Sequence, residues 1–202
     1  MNKKLIVATA ACAALLIGSI STSLAWLKAE ASPVTNTFTS STIGVNIKEG
    51  ESLTETSGSY KMVPGWTITK DPMAWVTEGS EDAILFVKVE ESSNFDYFMT
   101  YQLADGWTVL SSTSDGNNTN SGDENNTYVI YRTVDTSKMG QANAFQILKD
   151  DAVTVKGEVT KEDMSGSFSQ PTLKFTAYAH QLYKNEDNEA FEAQDAWDNI
   201  NS

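Results

Sequence analysis

The chain has 202 residues, with 14 basic against 27 acidic side chains, one histidine, one cysteine and a formal net charge of -13. Nucleic acid is not the expected partner, because phosphate binding needs clustered Lys and Arg that displace counterions. An apolar share of 40% and an aromatic share of 10% exclude a disordered chain and suit one packed domain, while a single histidine falls short of the imidazoles that most catalytic zinc sites use.

Residues 1–25 pair Lys3 and Lys4 with an apolar run from Leu5 to about Ile20 and end on Ser23-Leu24-Ala25. This is the pattern of a secretory signal peptide, with small residues at the -3 and -1 positions of the cut. Cleavage is expected between Ala25 and Trp26, and the competing reading is an uncleaved anchor, since the run is just long enough to span a bilayer. Cys12, the chain's one cysteine, lies inside that run, so the exported part would hold no disulfide. Secretion to the extracellular matrix or cell surface follows as the expected location.

Residues 26–38 contain Trp26, Leu27, Val34 and Phe38 as apolar anchors, but Pro33, Lys28 and Glu30 make the stretch a poor central strand. From residue 39 to 183 the pattern is short β-branched and aromatic runs divided by Gly, Asn, Asp, Ser and Pro, which predicts an antiparallel all-β domain. Strands are expected over 38–47, 66–76, 83–90, 95–103, 107–110, 128–134, 145–155 and 172–183. In the third of these, Ala83, Leu85, Val87 and Val89 share one face, assigned to the core, and Ile84, Phe86, Lys88 and Glu90 the other. Asp105-Gly106 is a tight-turn signal and predicts a hairpin between 95–103 and 107–110. Residues 111–126 are nearly all Ser, Thr, Asn, Asp and Gly, a long surface loop. Residues 184–202 form the tail, where Phe191, Ala193, Ala196, Trp197 and Ile200 predict an amphipathic helix over 185–200, covering one end of the sandwich.

Three segments together resemble the TasA/camelysin family of exported Gram-positive proteins. The first is the signal peptide running into Val34-Thr35-Asn36-Thr37-Phe38-Thr39. The second is Val63-Pro64-Gly65-Trp66-Thr67-Ile68-Thr69-Lys70-Asp71-Pro72, followed by Glu81-Asp82 and Phe86-Val87-Lys88-Val89-Glu90. The third is Leu173-Lys174-Phe175-Thr176-Ala177-Tyr178-Ala179-His180-Gln181. The resemblance implies a jelly-roll-like β-sandwich, a dedicated signal peptidase, and subunits of biofilm-matrix fibres.

Camelysin was described as a metalloprotease, yet this chain has no His-Glu-x-x-His, no second histidine, and no cysteine after residue 25. No catalytic residue, metal ligand or cofactor is therefore assigned, and His180 is read as a strand residue beside Tyr178. A Ser-His-acid triad would also need His180, and no Gly-x-Ser-x-Gly elbow is present. Asp115, Asn117, Asp123 and Glu124 offer oxygen ligands for Ca²⁺ without EF-hand spacing, and the simpler reading is a hydrated loop. Trp66, Trp75 and Trp107 are either core or an exposed strip that stacks on sugar rings. The expected function is structural: an exported protomer that joins copies of itself or related subunits, with residues 26–38 as the donor strand, docking through Trp26, Leu27, Val34 and Phe38. The alternatives are a monomeric surface- or polysaccharide-binding module and, remotely, a camelysin-like protease.

Overall fold

A computed structural model describes residues 42–50, 53, 57–110, 125–165 and 169–202. The signal-peptide and donor-strand expectations (Ala25, Trp26, Leu27, Val34, Phe38) and the calcium expectation at Asp115, Asn117, Asp123 and Glu124 lie outside the described residues. Ten strands and two α-helices occur within them, in an all-β sandwich. They are β1 (Val45–Lys48), β2 (Thr67–Thr69), β3 (Met73–Val76), β4 (Ala83–Ser92), α1 (Phe95–Phe98), β5 (Met99–Leu103), β6 (Thr108–Val109), β7 (Asn125–Val134), β8 (Phe145–Gln146), β9 (Leu148–Val155), β10 (Leu173–Gln181) and α2 (Ala193–Ile200).

Every ladder is antiparallel. One sheet has the order β10-β4-β7-β6, and the others run β1-β3-β8 and β2-β9-β5. The two three-stranded sheets are one layer with a kink, because β2 leads into β3 and β8 into β9 on neighbouring strands. The kink has a local cause: Asp150 and Asp151 take left-handed backbone (φ 57 and 51) and β9 bulges there. Pro72, without an N–H, sits opposite and accepts from the Ile147 N–H at 3.0 Å.

The predicted inner face of β4 is the core: Ala83, Leu85, Val87 and Val89 are fully buried with Ile130, Leu148 and Val155. The opposite face is not simply solvated. Ile84 and Phe86 are buried beneath α2, whose Trp197 ring lies 5.4 Å from Phe86 and 5.3 Å from Tyr178. The helix thus covers the outer face of β4 and β10 rather than an end of the sandwich, and it is shorter than expected. Residues before it turn instead, with Asn185 Oδ1 accepting from the N–H groups of Asp187 and Glu189 at 3.1 and 3.2 Å.

Two further expectations are corrected. Residues 95–98 are a turn of helix, burying Phe95 and Phe98. Asp105-Gly106 is a turn, with Gly106 at φ +88, but it carries the chain between layers: β5 pairs with β9 and β6 with β7. Turn chemistry is local, whereas the choice of strand partner is made by the faces that need burial.

Candidate strand-acceptor groove

In an eight-stranded jelly roll the first and last strands pair side by side. Here β1 hydrogen-bonds β3 and lies close to β10 without pairing to it, and β10 pairs only with β4 among the described residues. The register of β10 decides which of its groups are satisfied. Leu182 N–H donates to Asp82 O at 2.7 Å, and Ser92 N–H donates to Thr172 O at 3.0 Å. Even-numbered residues therefore turn their backbone groups toward β4, and Leu173, Phe175, Ala177 and Ala179 turn theirs to the open edge. The side chains of Leu173, Phe175 and Ala177 point into the sandwich and pack on the core.

The facing layer is open in the same place. Val155 N–H donates to Trp66 O at 2.9 Å and Lys70 N–H to Asp151 O at 2.7 Å, so the peptide groups of Thr67 and Thr69 point away from β9. β1 runs alongside β3 and stops short of β2. Between these edges lies a groove of about 1070 Å³, lined by apolar Ile68, Phe95, Met99, Val153 and Phe175, by Met62 and Met164, and by the polar segment 57–61 with Lys48, Glu49, Lys70 and Lys174. Unbranched Met side chains adapt to irregular partners.

A polar cluster stands at the rim. Glu49, 7% exposed, accepts from Lys70 Nζ at 2.6 Å and from the Tyr60 hydroxyl at 2.8 Å. Asp71 holds the chain just beyond β1 by accepting from Gly50 N–H at 2.9 Å. Behind the groove floor a second buried carboxylate, Glu91, accepts from the Tyr101 hydroxyl at 2.5 Å and from Asn126 Nδ2 at 3.0 Å, while the two hydroxyls of Tyr101 and Tyr128 are 2.6 Å apart. Burial raises the pKa of Glu91 and the charge of Asp96 adds to that, against the two hydrogen bonds that pull it down. Both phenols are pushed up, chiefly by burial.

The three tryptophans part company. Trp75 is buried, Trp107 is half-buried with its Nε1–H on Gln146 O at 2.7 Å, and Trp66 is 65% exposed. His180 lies in β10 with its ring 4.6 Å from that of Phe191. Among the described residues no three His, Cys, Asp or Glu side chains converge as a metal site, and no helix is long and apolar enough to cross a membrane. Neither the groove nor the Glu91 network was singled out from the sequence, since open edges follow from strand order and one acid among 27 has no local signature. Comparison with family models, curated proteins and solved structures finds no match to this chain.

Proposed function

We propose that the protein is an exported structural protomer that assembles by strand addition, a neighbouring subunit's N-terminal segment filling the groove beside β10. The observation that carries this reading is the coincidence of an edge of β10 that is unpaired among the described residues with a groove, partly apolar, that reaches Ile68 of β2. An added strand would find backbone partners at Leu173, Phe175 and Ala177 and apolar contacts below. Each main-chain hydrogen bond contributes about 0.5–1.5 kcal/mol, and burying Val34 or Phe38 about 1.5–3 kcal/mol each. The resemblance of three segments to TasA/camelysin proteins supports the same reading, as does the signal-peptide pattern of residues 1–25, which would free Trp26 as an N-terminus only after export. Partners on this reading are the protein itself or related subunits, and a signal peptidase during export.

Deleting residues 26–37 tests it. A donor strand leaves a folded protein that forms no fibres, seen by electron microscopy with size-exclusion at two concentrations. Fibres that form unchanged without the segment overturn the mechanism.

One observation favours a second reading, polysaccharide binding. Trp66 is held by a turn in which Gly65 (φ +76) lets Trp66 N–H donate to Val63 O at 3.0 Å, so its exposed ring is presented on a fixed frame. Quenching of Trp66 fluorescence by soluble glucan, lost in Trp66→Ala, would support it. Unchanged fluorescence would dismiss it.

A further inference from the structure

Residues 57–62 belong to no strand, and all but Met62 are exposed, yet they line the same groove as Leu173 and Phe175 of β10. The segment is fastened at Tyr60. The Tyr60 hydroxyl donates to Glu49 Oε1 at 2.8 Å. Lys70 Nζ, 2.6 Å from Glu49 Oε2, stands 5.6 Å from the centre of the Tyr60 ring and 6.0 Å from that of Phe175. One cation thus joins the segment, the chain just beyond β1 and the inner face of β10. Gly58 shows how closely the chain wraps this ring, since a Cβ there would fall 2.5 Å from the Tyr60 hydroxyl oxygen. Two residues after Tyr60, Met62 packs against the core. The turn that follows is anchored, with Gly65 N–H donating to Val155 O and Trp66 N–H to Val63 O, each at 3.0 Å. The segment therefore has a fixed base and a side-chain latch.

An open strand edge beside apolar side chains is a template for unwanted pairing, and folded proteins cover such edges with loops. Residues 57–62 lie where that cover is needed, and an exposed segment outside any strand opens at low cost. We infer that residues 57–62 are a strap across the strand-acceptor groove, latched by Tyr60 on Glu49 and Lys70, and that release of the latch admits the donor strand. The inference rests on the strand-addition reading for what enters the groove, and adds what controls entry. Lifting the strap gives up the hydroxyl bond of Tyr60 but leaves Glu49 and Lys70 paired with each other, so no buried charge is stranded. While the strap is closed, only the open fraction of molecules accepts a strand, and the rate of addition is reduced by that fraction.

The test compares the purified protein with two variants at exposed positions. Tyr60→Phe keeps the ring and loses the hydroxyl, and Gly58→Ala pushes the ring off its acceptor; neither alters β10 or residues 26–38. Fibre growth, followed by light scattering at matched concentration, should run roughly threefold to tenfold faster in both, with the melting temperature as a control for folding. Growth at the parental rate or slower overturns the strap, and Tyr60→Phe decides where Gly58→Ala lowers stability. If neither parent nor variants form fibres, strand addition has failed, and the strap is judged on the unassembled proteins with 1-anilinonaphthalene-8-sulfonate, a dye that lights up on uncovered apolar surface. Its emission should be higher with Tyr60→Phe than with the parent, and equal emission overturns the proposal.

Discussion

Replacing Tyr101 by Phe removes one hydroxyl from between Glu91 and Tyr128 and keeps the ring, which packs edge-on to Phe95 at 5.8 Å between centres. Packing is therefore nearly unchanged and the loss is electrostatic. Two hydrogen bonds are lost: the one to Glu91, which contributes about 1.5–3 kcal/mol when the carboxyl is ionised, and the one shared with Tyr128, about 0.5–1.5 kcal/mol, so the expected cost is about 2–4.5 kcal/mol. For a domain of this size the melting temperature should fall by roughly 4–18 °C. The cost should shrink in acid. Glu91 has a folded pKa raised above its ordinary 4.5, so the unfolded chain releases this proton first as pH rises. Stability from this group is complete below about 4.5 and is lost as pH climbs through the raised folded value. Once Glu91 is protonated, both missing bonds are ordinary ones of about 0.5–1.5 kcal/mol each. Glu90, held below the usual range first by Lys174 and then by Lys88, and exposed Asp135 and Asp163, also lowered, act in the opposite sense, their stabilisation fading as pH falls. Urea denaturation of parent and Tyr101→Phe at pH 7 and pH 4.5, repeated in a Glu91→Gln background, isolates the pair. Equal costs at both pH values with Glu91 present, or a cost below about 0.5 kcal/mol at pH 7, would refute the reasoning.

Phe86→Ala should cost about 3–5 kcal/mol by thermal denaturation, since Phe86 is fully buried against Tyr131 and Trp197, and Trp197 fluorescence should shift to the red as α2 loosens. Lys70→Ala removes the cation paired with Glu49 where the two side chains are 14% and 8% exposed, and should cost about 3–5 kcal/mol at pH 7. Adding Glu49→Gln to it should recover part of that loss in the same denaturation measurement.

Alternation in β4 made its inner face legible, because residues two apart in a strand must share a face and Ala83, Leu85, Val87 and Val89 are all apolar. The same run carried Ile84 and Phe86 on the other side, and only the position of α2 explains why they are apolar too. The Asp105-Gly106 turn was readable, its partners were not: a turn sets the local path, and strand pairing across β5, β9, β6 and β7 is settled far along the chain. The break of the 66–76 run into β2 and β3 follows from Pro72 and from the bulge on β9, of which only Pro72 is visible in sequence. The groove was not legible at all. It arises where β1 hydrogen-bonds β3 and only lies close to β10, a matter of topology rather than of any residue.

That open edge is the centre of the account, and residue-resolved amide hydrogen exchange tests it most directly. In the unassembled protein the N–H groups of Lys174, Thr176, Tyr178 and His180 face β4 and should exchange slowly, while those of Leu173, Phe175 and Ala177 should exchange fast. On assembly the fast set should become protected by at least about tenfold, together with Thr67 or Thr69 at the facing edge, and the slow set should hardly change. Assembled protein in which Leu173, Phe175 and Ala177 still exchange as they do in the monomer would contradict strand addition at β10.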